Sequence, residues 1–212
     1  MIKIVQKSVS VILLTILIMT CFAGCGNDEK VEIENGVTAY LMAVSGFNLR
    51  GMQSCLAEGS NKDFGVDTSV IESGYVQTDT YKKQVESMFK ALGATMEFTV
   101  DSTEKTDDST AIAMVTLKCA DANEAAVEEY THRKVDEYIQ AHPETVLKTD
   151  LDRNDISITV MAQAFNEFVQ LQPKVETKVS IVLTKKNGAW KIAAVSENGE
   201  LKAFLTSVFG TF

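Results

Sequence analysis

The first half of the chain has apolar residues at the three- to four-residue spacing of amphipathic helices. This spacing predicts a helix over about 31–45, a short helix after Asn48, and a third helix over about 75–92. Asn48 can cap the second helix, and Gly93 is suited to end the third. We therefore expect the folded part of the chain to begin with helices.

From residue 95 the apolar residues recur at every second position, which is the spacing of half-buried strands. Strands are predicted over 96–101 and 110–119, with a polar turn between them. A second pair is predicted over 174–185 and 189–195, joined by Asn187-Gly188, a dipeptide that favours a two-residue hairpin turn. The residues of the third predicted strand that should face the core are Val175, Thr177, Val179, Ile181 and Leu183.

Between the two hairpins, residues 122–171 predict a pair of helices. Asp121 and Glu124 have the spacing of a capping box for the first helix, and Asp155 can cap the second. A final short helix is predicted over 201–208. We find no internal repeat, so the prediction is a single α+β domain. A curved antiparallel sheet packs against N-terminal helices, with an inserted helical pair around 122–171 and a short C-terminal helix.

The N-terminus has the three parts of a bacterial export signal. Residues 1–7 contain two lysines, residues 8–20 are thirteen residues without a charge, and small residues precede Cys25. The uncharged segment is shorter than the roughly 20 apolar residues that a membrane span requires. We therefore interpret residues 1–24 as a signal peptide, with an uncleaved signal anchor as the alternative.

The end of this signal, Phe22-Ala23-Gly24-Cys25, resembles the lipobox of bacterial lipoproteins. The resemblance implies cleavage before Cys25 by signal peptidase II and a diacylglycerol on the Cys25 thiol. Phe22 departs from the commoner leucine, and Cys21 is the rival acceptor. We expect a lipid-anchored protein on the extracytoplasmic face of a bacterial cell membrane. Its predicted segments are a signal peptide at 1–24, a polar tether at 25–34 and one domain at 35–212.

The charge of the chain bears on its partners. The formal net charge is −9, and removal of residues 1–24, which carry two lysines and no acid, would make it −11. An acidic domain repels phosphate backbones, and no cluster of lysine and arginine offsets this. We therefore expect no nucleic-acid partner, and acidity by itself is explained by solubility.

Two cysteines, Cys55 and Cys119, remain after processing. Export to an oxidising compartment would allow a disulfide between them. The alternative is two unpaired buried cysteines that act as small apolar residues. The chain has no Cys-x-x-Cys pair, so thioredoxin-type chemistry has no support.

The remaining polar residues do not form a recognisable catalytic or metal motif. His132 and His142 are ten residues apart, which does not match the spacing of a metalloprotease helix, and both are expected at the surface. Asp150, Asp152 and Asn154 have the spacing of a calcium loop, but the glycine and the final glutamate of that loop are missing. We expect no metal and no cofactor.

Two segments resemble the nuclear-transport-factor-two-like fold and several uncharacterised Gram-positive lipoprotein families that share its layout. They are Val37-Thr-Ala-Tyr-Leu-Met-Ala43 and Leu183-Thr-Lys-Lys-Asn-Gly-Ala-Trp-Lys-Ile192, within a resemblance that covers about 35–120 and 174–208. It implies a cone-shaped domain in which a curved sheet wraps around helices. Enzymes of this fold use an inward carboxylate, often with a tyrosine or histidine. The candidates here are Tyr40, Tyr81, Glu97 and Asp101.

The strand alternation nevertheless places Glu97 and Asp101 on the solvent side, and a core tyrosine is the simpler interpretation of Tyr40. The leading hypothesis is therefore a non-catalytic, lipid-anchored domain that binds a small ligand or a cell-envelope partner. An isomerase or dehydratase of the cone fold and a purely structural interaction module are the alternatives. Fold alone does not decide between them.

Overall fold

A computed structural model describes residues 28–66 and 78–210. These residues form an α+β fold of six α-helices and one open, four-stranded antiparallel sheet. The helices are α1 (Asp28–Ser45), α2 (Leu49–Cys55), α3 (Asp79–Gly93), α4 (Glu124–Ala141), α5 (Asp150–Leu171) and α6 (Gly199–Phe209). The strands are β1 (Glu97–Lys105), β2 (Thr110–Ala120), β3 (Lys174–Lys186) and β4 (Ala189–Ile192).

The strands lie in the sheet in chain order, β1-β2-β3-β4, and both predicted hairpins are confirmed. A bulge at Asp101 interrupts the pairing of β1 with β2. Asn187 and Gly188 join β3 to β4 with φ values of 52° and 79°, the left-handed conformation that this two-residue turn requires.

The core lies on one face of the sheet, which we call the inner face. Helix α1 crosses it and contacts all four strands, and α6 packs on β3. The side chains of α1 and of the strands that meet on this face are fully buried. Each strand contributes every second residue, because alternate side chains point to the same face. The largest of them include Tyr40, Leu41, Leu117, Ile181, Leu183 and Ile192.

Helices α4 and α5 form the predicted helical pair, which we call the helical arm. The arm leaves the sheet after Ala120 and returns at Lys174, and these two residues are paired neighbours on β2 and β3. Helix α5 packs against α4 and α3. The arm is thus an insertion between two adjacent strands.

Several helix starts differ from the prediction. Asn123, not Asp121, caps α4, because its Oδ1 accepts a hydrogen bond from the backbone N–H of Ala126 at 3.2 Å. Thr149, not Asp155, caps α5 through its hydroxyl. Helix α1 begins at Asp28, three residues before the predicted start, so the described part of the segment predicted as a polar tether is helical.

Candidate functional site

The first five residues of β3 extend beyond the part of the sheet that the core helices cover. Val175 and Thr177 are paired with Cys119 and Leu117, so they lie on the inner face as predicted. Both are nevertheless exposed, and Val175 retains 51% of its accessible surface. Helix α6 flanks this part of the inner face but leaves Val175 and Thr177 exposed. The result is an apolar depression of about 410 Å³, bounded by Val175, Thr177, Phe204, Ser207 and Val208.

The same segment of β3 has an open edge. Strand β4 pairs only with residues 183–186 of β3. The backbone N–H of Val182 donates instead to Asn198 Oδ1, and that of Ser180 donates to a carboxylate oxygen of Glu200. Alternation along the strand points the N–H groups of Glu176 and Lys178 in the same direction. Within the described part of the chain, no strand pairs with them.

A second depression, of about 280 Å³, adjoins the first at Ala122 and Glu124, which line both. It lies between the base of the helical arm and α3, and its apolar lining includes Met88, Val127 and Met161. Because the two depressions meet where the arm joins the sheet, we call them together the root groove. Acidic side chains dominate its rim: Asp121, Glu124 and Glu128.

The residues that the cone-fold resemblance nominated for catalysis do not come together. Tyr40 is buried on α1 against Phe64, and burial raises the pKa of its hydroxyl. Tyr81 is half-buried on α3. Glu97 is exposed on the outer face, where Lys174 Nζ at 2.7 Å holds the pKa of its carboxyl below the ordinary value. Asp101 accepts a hydrogen bond from the Thr116 hydroxyl.

The histidines are also separate. His132 is exposed and lines the helical part of the root groove. His142 is exposed at the end of α4, where its ring lies 4.4 Å from that of Tyr138 and 3.2 Å from a carboxylate oxygen of Glu144.

The two carboxylates of the calcium-loop candidate, and the neighbouring Asp155, each have a partner of their own. Asp150 pairs with Arg153, Asp152 accepts from the Thr149 hydroxyl, and Asp155 accepts from the Thr78 hydroxyl. Across residues 28–66 and 78–210, no three histidine, cysteine, aspartate or glutamate side chains gather as metal ligands.

Cys55 and Cys119 are free thiols in the structure, so the disulfide is not formed there. Cys119 is buried, and its thiol lies 3.3 Å from Thr95 Oγ1, which itself donates to the carbonyl of Leu92. Burial raises the pKa of the Cys119 thiol, so it is a poor nucleophile. The predicted lipobox, Phe22-Ala23-Gly24-Cys25, lies outside the described residues.

The chain has a structural relative among known proteins. No model of a known protein family matches it, and neither does any curated protein. Its fold is similar to that of ycdA from Bacillus subtilis subsp. subtilis str. 168, a protein whose name describes it as a lipoprotein, with a TM-score of 0.55. The match covers 84% of this chain at 14% identity, and this chain spans 56% of the length of ycdA. At this identity the similarity shows a shared fold alone.

In the part of the chain that the structure describes, no helix combines the length and the hydrophobicity needed to cross a bilayer.

Proposed function

We propose that this protein is a lipid-anchored, extracytoplasmic binding domain that holds an extended segment of a cell-envelope protein in the root groove. The domain would be a non-catalytic variant of the nuclear-transport-factor-two-like fold, attached to the membrane through Cys25. The observation that carries the proposal is the open edge of β3, over residues 174–178, beside an apolar depression on the inner face. The lipoprotein name of the structural relative ycdA supports the anchor.

The packing of the inner face favours a protein partner over an enclosed small ligand. The inner positions of β2 from Ala111 to Leu117 are fully buried under α1 and its neighbours. Ligand pockets usually enclose most of a small molecule. The root groove is open along one side, where Val175 is half-exposed, and an open apolar trough suits a polypeptide better.

The open edge specifies how a polypeptide would bind. An extended segment that pairs with β3 would bond to the N–H groups of Glu176 and Lys178 and place alternate side chains on the inner face, beside Val175 and Thr177. The charged side chains of Lys174 and Glu176 are ion-paired on the outer face, and charges beside an edge discourage pairing with copies of the same chain. The acidic rim of the groove favours a segment with lysine or arginine beside its apolar residues.

The anchor is tested by Cys25→Ser, with Cys21→Ser as the matched control. We expect labelled palmitate to be incorporated into the unchanged chain and into Cys21→Ser but not into Cys25→Ser, because only the Cys25 thiol receives the diacylglycerol. Two acyl chains, at about 0.8 kcal/mol for each buried methylene, hold a protein stably on a bilayer. Labelling of Cys25→Ser would show that the assignment is wrong.

The groove is tested with a photo-crosslinking amino acid, p-benzoylphenylalanine, at Val175 in cells that contain the full chain. Met114 is the control position, because it is a similarly exposed apolar residue on the opposite face of the sheet. We expect a discrete crosslinked protein from position 175 and none from position 114.

A second variant shows whether the crosslink depends on the edge. Glu176→Pro removes one open-edge N–H, and proline is tolerated at an edge. It should abolish the crosslink from position 175 while the protein stays folded by circular dichroism. The same crosslinks from both positions, or full crosslinking in Glu176→Pro, would contradict strand addition.

A further inference from the structure

The start of α1 is tied to one end of the sheet. The Glu29 carboxylate bonds to Lys105 Nζ at the end of β1 and to Lys185 Nζ near the end of β3, both at 2.9 Å. Lys105 Nζ also bonds to Asp108, in the turn between β1 and β2, at 3.1 Å. The hydrogen bonds from the two lysines hold the pKa of Glu29 below its ordinary value, so the carboxylate stays charged at neutral pH. We call this end, with the turns at 106–109 and 186–188, the turn end.

The turn end is close to the proposed lipid in covalent terms. Cys25 precedes Asp28, the first residue of α1, by three residues. Three residues span at most about 11 Å when fully extended. A diacylglycerol on Cys25 therefore keeps Asp28 within that distance of the bilayer surface, and the ion pairs of Glu29 hold the turn end beside the start of α1.

The root groove lies at the other end of the strands. Glu97, at the start of β1, is paired with Lys118, and Ala120 with Lys174. Strand β1 has nine residues, so at about 3.3 Å per residue the two ends are separated by ~27 Å.

The surface chemistry of the turn end suits lipid headgroups. It is polar: Lys186 pairs with Glu58, and Asp107 bonds within its own turn. The exposed large apolar side chains of the described residues include none at 105–110 or 185–189.

From this geometry we propose that the turn end is the membrane-facing surface of the protein and that the root groove is directed away from the bilayer. The proposal rests on the lipid anchor proposed above. It assigns the turn end a lipid-headgroup partner and leaves the groove free for a protein.

The test uses the lipidated full chain in vesicles of phosphatidylcholine and phosphatidylglycerol that carry a nitroxide on the headgroup. A fluorophore is attached at Asp108→Cys or at Asp121→Cys, a matched pair of exposed aspartates at the turn end and at the root groove. Cys55→Ala removes the half-buried native thiol, and Cys119 is buried. Quenching at position 108 should exceed that at position 121 by about threefold or more, because the two ends are ~27 Å apart.

The experiment distinguishes a failure of the proposed anchor from a failure of the proposed orientation. If the protein does not float with the vesicles, the anchor is wrong and the orientation fails with it. If it floats and position 121 is quenched as strongly as position 108, or more strongly, the anchor stands and the orientation is overturned.

Discussion

Asn198 shows how one side chain can replace a missing strand. Its Oδ1 accepts from the N–H of Val182 at 2.8 Å, and its Nδ2 donates to the carbonyls of Val182 and Ala193 at 3.1 and 3.2 Å. The residue is 1% exposed. The amide therefore closes the edge of β3 where β4 has already ended, and the open edge begins only beyond this point.

Asn198→Ala is predicted to destabilise the protein by about 1–3 kcal/mol, because it leaves buried backbone groups without partners. The free energy of unfolding is measured in urea from the emission of Trp190, the only tryptophan in the sequence. Asn198→Asp keeps an acceptor for Val182 but buries a carboxylate against the carbonyl oxygens of Val182 and Ala193, so its loss should be at least as large. An unfolding free energy for Asn198→Ala equal to that of the unchanged protein would show that the Asn198 amide does not stabilise the edge of β3.

The sequence predicts which element a residue belongs to better than it predicts the partners or the burial of its side chain, as Asn198 and Val175 show. The final helix was expected near Asn198, and it does begin at Gly199. Two of the hydrogen bonds of the Asn198 amide nevertheless go to Val182, on a strand sixteen residues away. Val175 belongs to a regular inward alternation that also includes the buried Val179. Alternation reports the face of a residue, not whether another element covers that face, so the apolar part of the root groove was predicted as core.

At the scale of elements, local patterns predicted the type and order of every helix and strand named above. The Asn187-Gly188 turn and the β1–β2 hairpin are set by neighbouring residues, and both are confirmed. Caps were less predictable, because several polar residues near each helix start compete. Asn123 caps α4 in place of Asp121, and Thr149 caps α5 in place of Asp155. The side chain of Asp155 instead accepts a hydrogen bond from the Thr78 hydroxyl at the start of α3.

The root groove is an assembly of elements that are distant in sequence. The apolar residues of its helical part, Met88, Val127 and Met161, come from three helices. Their position depends on the packing of α5 against both α3 and α4, which no local pattern specifies. The same holds for the ion pairs of Glu29, which join residue 29 to Lys105 and Lys185 across the sheet.

At the scale of the whole molecule, the helical arm is added to a sheet that is already complete without it. Ala120 and Lys174 flank the arm and are paired neighbours, and the pair before them on the two strands is Cys119 with Val175. The backbone N–H of Asp121 also bonds to the carbonyl of Pro173 at 3.0 Å. Hydrogen-bonded pairs alternate along these strands, so Asp121–Pro173 and Cys119–Val175 are bonded pairs and Ala120–Lys174 is not. Replacing residues 120–174 by Asn-Gly, which joins the bonded pair Cys119–Val175, should therefore turn β2 and β3 into a tight hairpin with its register unchanged.

The shortened protein is predicted to fold with Trp190 still buried, because that residue packs on the inner face far from the arm and is 5% exposed. Its Tm should fall, since α3 loses the apolar surface that α5 covers, and each lost kcal/mol lowers the Tm of a domain this size by about 2–8 °C. Fluorescence measures the burial of Trp190 and calorimetry measures the Tm, each in comparison with the full chain. The photo-crosslink from position 175 should weaken, because the deletion removes Ala122 and Glu124, where the two depressions meet. Trp190 emission at the wavelength of the unfolded chain would show instead that the arm is part of an indivisible core.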